Sequence, residues 1–96
     1  MRRCYLVCYD IRDARRLRRV HRLLRGYGEP WQFSVFFCQL KEIDRVRLER
    51  HLREIIKHDE DEVLLLALDT DTDAARARAT VLGPGLPVPS ANVVVI

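Results

Sequence analysis

Asp10 closes a run of six apolar residues, Cys4-Tyr5-Leu6-Val7-Cys8-Tyr9, and the fifteen residues after it hold seven arginines. Guanidinium forks bind phosphate oxygens bidentately, so Arg12, Arg15, Arg16, Arg18, Arg19, Arg22 and Arg25 suit a nucleic-acid backbone and carry no sequence code. Asp10 ends a buried strand directly before this basic segment, and sequence spacing ties no histidine or second carboxylate to it, so any activity there should be slow or need a dimer. Other chemistry-bearing residues form weaker patterns. His21, His51 and His58 match no metal motif. Asp69-Thr70-Asp71-Thr72-Asp73 resembles the opening of a calcium loop, but Ala74 replaces its glycine and Thr80 its closing glutamate. Asp73 then reads as the cap of a short helix over 74–79. Cys4, Cys8 and Cys38 are odd in number and lie in apolar runs without a C-x-x-C pair, as small buried hydrophobes do.

The elements that position these residues follow from apolar periodicity. Cys4 to Tyr9 reads as a strand buried on both faces, with Cys4, Leu6, Cys8 and Asp10 on one side and Tyr5, Val7 and Tyr9 on the other. Residues 12–27 read as a helix capped by Asp13, whose stripe of Leu17, Val20, Leu24 and Tyr27 faces a sheet. Arg15, Arg19 and Arg22 align along its outer face, with Arg18 and Arg25 beside them. Gly28-Glu29-Pro30 ends that helix. The extended stretch beyond it divides into strands over 29–33 and 35–40, with a tight turn or bulge near 32–34. Trp31, Phe33, Phe36 and Phe37 suit core packing, and exposed aromatics among them would suit base stacking. A second helix over 44–58 carries Leu48, Leu52, Ile55 and Ile56 on its apolar side. Val63 to Leu68 is another continuous apolar run and so reads as a second central strand, and Leu82-Gly83-Pro84-Gly85-Leu86-Pro87-Val88-Pro89 is a stiff connector to a last strand, Val93 to Ile96.

The chain of 96 residues is 48% hydrophobic and 32% charged, the balance of one small globular domain. Its net charge of +3 hides an asymmetry: Met1 to Gly28 holds nine Arg and two Asp, a net of +7, and the remainder sums to −4. Fifteen of the seventeen basic residues are Arg, a bias that explains their type but not their clustering. Such a local basic patch draws in phosphates. No run approaches the roughly 20 apolar residues of a membrane span, and no leader pattern opens the chain, so a cytoplasmic location without membrane contact is expected.

Strand, helix, two strands, helix, strand is the βαββαβ order of a ferredoxin-like α+β sandwich, an antiparallel sheet with both helices on one face. Residues 1–82 form that domain, and residues 83–96 form the connector and C-terminal strand. The sheet's other face is apolar and uncovered, which predicts a two-fold homodimer. Val93, Val94, Val95 and Ile96 would then pair with the partner's sheet.

Four features together resemble the CRISPR-associated spacer-acquisition endonuclease family, the second, small member of the Cas adaptation pair. They are Tyr9-Asp10-Ile11, the Arg-rich helix with Leu24 and Gly28, Gln32-Phe33-Ser34-Val35-Phe36, and the strand Val63 to Leu68. Phe37 departs from the family, which often has an acidic residue there. The resemblance implies a homodimer in which Asp10 of each subunit faces the other across a cleft and binds Mg²⁺ or Mn²⁺. It implies cleavage of RNA or DNA phosphodiesters at that metal, with Arg12, Arg15 and Arg16 holding the backbone and the wider Arg face, including Arg18, Arg19 and Arg22, binding flanking duplex. It equally allows a non-catalytic scaffold that binds duplex DNA and bridges copies of a CRISPR adaptation integrase, or a toxin-like ribonuclease on the same fold.

Overall fold

The computed structural model describes residues 1–86. Its elements are β1 (Arg2–Asp10), α1 (Ala14–Arg25), β2 (Gly28–Gln32), β3 (Val35–Lys41), α2 (Glu42–Ile55), β4 (Glu62–Ala67) and α3 (Thr72–Ala77). The four strands form one sheet in the order β2-β3-β1-β4, antiparallel throughout. This is the expected ferredoxin-like arrangement, with the apolar β1 inside the sheet, between β3 and β4.

Alternation along β1 divides the interior in two. Tyr5, Val7 and Tyr9 join Val20 and Leu24 of α1, Leu48 and Leu52 of α2, and Phe36, Cys38 and Leu40 of β3 in the main core. Both long helices therefore cover one face. Cys4 and Phe37 point the other way and form a smaller cluster with Ala75 of α3, flanked by Leu6, Trp31 and Leu68. The rest of that second face is open: Leu64 and Leu66 of β4 are 59% and 57% exposed. Cys4, Cys8 and Cys38 are free thiols, and burial pushes Cys38 up to about 12, so it acts as a core hydrophobe.

Local chemistry sets the boundaries. Asp13 caps α1 by accepting from Arg16 N at 3.0 Å, and Gly26 N donates back to Leu23 O at 3.1 Å. The β2–β3 stretch splits where expected, with Phe33-Ser34 as the turn. Its register slips between Pro30 and Gln32, which makes Trp31 the bulged residue on an edge strand. Trp31 stacks on Phe37 at a centroid separation of 4.5 Å, and Arg76 of α3 lies 5.6 Å from its ring centroid. Gly28 opens β2 rather than only ending α1. A Cβ there would collide with Phe37 O and lie 3.0 Å from Cys38 Cα, so the approach of β2 to β3 requires glycine.

Three expectations are corrected. The apolar run Val63 to Leu68 is not a central strand: among the described residues β4 pairs with β1 alone and forms an edge of the sheet. The second helix runs Glu42–Ile55 rather than 44–58, because it follows β3 without a loop, with Lys41 extended at its N-cap. The cap of α3 is Asp71, not Asp73: the Asp71 carboxylate accepts from Asp73 N at 3.0 Å, and the helix starts at Thr72. Residues 83–86 lie outside any helix or strand. The expected C-terminal strand, Val93, Val94, Val95 and Ile96, falls outside the described residues. No helix among those described is long and apolar enough to cross a membrane.

Candidate functional site

Strand β1 delivers Asp10 at its last position, on the open face, with its side chain 64% exposed. Its register partner on β4 is Glu62. Partners in an antiparallel pair point to the same side, so two carboxylates stand side by side and repel. Arg12 partly offsets that repulsion, with Nη2 3.3 Å from Asp10 Oδ2. Glu62 escapes a sequence search because more than half the chain separates it from Asp10; only the β1–β4 register brings it close.

Behind this edge lies a second acidic centre, within the acidic run Asp59-Glu60-Asp61-Glu62. The Asp61 side chain is fully buried and accepts four hydrogen bonds. They come from Arg16 Nε at 2.7 Å, Arg16 Nη2 at 3.2 Å, Arg12 N at 2.9 Å and Lys57 N at 2.9 Å. These donors, the Arg16 guanidinium foremost, hold its carboxyl well below the usual carboxylate range. Arg16 also reaches Glu60 at 3.2 Å and is only 20% exposed. It thus fastens α1 to the turn before β4, and its guanidinium is engaged by protein carboxylates.

The other predicted arginines are disposed differently. Arg12, Arg15, Arg18, Arg19, Arg22 and Arg25 are exposed, and all but Arg12 project from α1 itself. His21, on the same helix, is tied into the fold through both ring nitrogens. Tyr9 Oη donates to Phe33 O at 3.0 Å, so the 3.1 Å contact with His21 Nδ1 has the imidazole as donor. His21 Nε2 then accepts from Arg25 Nε at 3.1 Å. With Nδ1 donating and Nε2 accepting, the imidazole ties helix to strand and turn.

The described residues contain no group of three or more His, Cys, Asp or Glu able to hold a metal ion. A hard cation such as Mg²⁺ needs only one or two carboxylates, completed by waters and phosphate oxygens. Asp10, with Glu62 opposite, is an exposed all-oxygen donor set of that kind. It fits one edge of such a site, whose remaining positions would need further oxygen donors.

A strand ending in an exposed carboxylate, an arginine-faced helix behind it and an open apolar sheet face define a small ferredoxin-like module with a basic flank suited to phosphates. The chain belongs to the family described as CRISPR associated protein Cas2, whose model matches residues 2–76. Among curated relatives, the CRISPR-associated endoribonuclease Cas2 of Geobacter sulfurreducens is 44% identical over 65 residues, 68% of each chain. The CRISPR-associated endoribonuclease Cas2 2 of Thermodesulfovibrio yellowstonii is 41% identical over 63 residues, 66% of this chain and 69% of the relative. The crystal structure of Streptococcus pyogenes Cas2 at pH 6.5 is similar at TM-score 0.74 and 29% identity, covering 83% of this chain and 99% of that one. A hypothetical protein from Thermus thermophilus is similar at TM-score 0.79 and 33% identity, covering 94% and 100%.

Proposed function

We propose that the protein acts in CRISPR adaptation as a metal-dependent endonuclease that hydrolyses RNA or DNA phosphodiesters at Asp10 of a homodimer. One observation carries this reading: Asp10 is exposed on the uncovered apolar face, beside a second carboxylate. A two-fold partner on that face would bring a second Asp10 toward the first. Curated relatives bearing the name endoribonuclease support the reaction class. Asp10, with Glu62 beside it, would hold a divalent cation such as Mg²⁺ or Mn²⁺, which would supply charge stabilisation at a phosphodiester and a more acidic water. The chain's own part is positional. Asp10 fixes the cation's place at the end of a strand held by neighbours on both sides. Arg12 stands between Asp10 and the helix, where its guanidinium can exchange the carboxylate for a phosphate oxygen. Arg15 and Arg19 hold the flanking backbone.

The exposed arginines favour a second reading as well, a duplex-binding scaffold that bridges integrase subunits, because Arg15, Arg18, Arg19 and Arg22 stand on the helix rather than at the Asp10 edge. The two roles separate in one experiment. Asp10→Ala abolishes metal-dependent cleavage of labelled RNA and DNA while leaving duplex affinity largely intact. Unchanged cleavage by the purified variant would sink the nuclease reading and leave the scaffold.

A further inference from the structure

Three of the four aromatic residues between Trp31 and Phe37 are packed, and the fourth is not. Trp31 stacks on Phe37, Phe36 is fully buried, and Phe33 is 78% exposed at the tip of the β2–β3 turn. Phe33 borders a pocket of about 420 Å³ between that turn and α1, a volume within the range of small-ligand sites. Tyr9 and His21 share its lining, and Arg18, Arg22 and Arg25 stand along its helical side. The backbone that carries Phe33 is fixed, since its carbonyl accepts from Tyr9 Oη, which accepts in turn from His21. His21 is itself braced edge-on against Phe36, with ring centroids 5.2 Å apart.

An open aromatic platform beside guanidiniums is the construction that binds unpaired nucleotides. The ring takes the base by stacking, and the cations take the phosphates. A paired base inside a duplex cannot present its face to such a platform, so the pocket distinguishes unpaired from paired strand. Its position also matters. Tyr9 lines the pocket and the next residue is Asp10, so the platform sits at the same strand end as the proposed cleavage site but on the opposite side of the sheet. We infer that the Phe33 pocket receives an unpaired nucleotide of a bound nucleic acid whose duplex part lies on the arginine face of the same helix, Arg18 and Arg22 standing where the two meet. This rests on the nucleic-acid-binding reading above and adds a preference for strand with an unpaired end.

Fluorescence anisotropy on the full chain tests it, with a blunt DNA duplex and the same duplex carrying an unpaired thymidine extension. Wild type should bind the extended probe roughly tenfold more tightly, the scale of one stacked base. Phe33→Ala should erase that preference and leave blunt-duplex affinity unchanged, Phe33→Trp should keep it, and Phe33→Leu, apolar but without a π face, should lose most of it. Phe33 stands outside both core clusters, and circular dichroism checks that each variant folds. Equal binding of both probes by wild type, or a preference that survives Phe33→Ala, overturns the pocket and leaves duplex binding standing. Binding to neither probe overturns the nucleic-acid reading itself. A change in sedimentation of Phe33→Ala alone, without a change in preference, would assign the ring to a protein contact and overturn the proposal.

Discussion

Asp61 is buried and satisfied by Arg16 and two backbone amides, whereas Asp10 is exposed beside Arg12, so substitutions at the two aspartates should have different consequences. Asp10→Ala acts on cleavage; Asp61→Ala acts on stability. Asp61→Ala leaves the part-buried amides of Arg12 and Lys57 without their acceptor, while Arg16 keeps Glu60, so it should cost about 2 kcal/mol in urea denaturation. The pH dependence has a definite sign. A carboxylate whose folded pKa is depressed contributes its full stability above the unfolded value of about 3.9 and loses it as the pH falls toward the folded one. Wild type should therefore lose stability steeply below about pH 4, and Asp61→Ala should show a shallower acid slope. Equal slopes would remove Asp61 from the acid response. In the sequence both residues stand beside apolar or acidic runs, and nothing in residue type separates them. Burial does, and burial here is a product of where the turn after α2 meets the start of α1.

At the scale of the element, α1 carries the charge and divides it. Arg16 turns inward to the Asp61 junction, while Arg15 and Arg19 stay exposed. Each phosphate released from the interface should reduce the slope of log affinity against log salt by about 0.9, so Arg15→Gln with Arg19→Gln should flatten it by about 1.8 on duplex DNA. An unaltered slope would exclude this helix from the nucleic-acid interface. Helix and strand identities are legible in the sequence because their apolar periods are long: the stripe Val20, Leu24 and Tyr27 is buried as periodicity requires, and so are Val7 and Tyr9. The inward turn of Arg16 is not legible, since the arginines of one helix look alike until a tertiary acid selects one. The α3 cap differs from its expected position for a related reason. Asp69, Asp71 and Asp73 are equivalent in sequence, and the chain's exit from β4 decides which one meets free amides.

For the whole molecule the open face is decisive. Leu64 and Leu66, with the half-buried Leu6 and Cys8, leave an apolar strip on the side that carries Asp10. Leu64→Lys with Leu66→Lys should convert the proposed dimer to a monomer in sedimentation velocity and abolish cleavage with it, while the Asp61 junction keeps the protomer folded. A monomer that still cuts would show that one copy suffices. The uncovered face follows from the order of elements, which places both long helices on one side. Glu62 as the neighbour of Asp10 does not follow from that order, because register is a pairing between strands and not a property of either.

The Asp61 junction has a mechanical consequence. Its four hydrogen bonds come from the start of α1, the residues just past α2 and the link between β1 and α1, and they converge on one carboxylate. They cannot release one segment without weakening its hold on the others. Loss of that one carboxylate would therefore loosen three segments at once, and with them the spacing between the arginine helix and the strand end that carries Asp10.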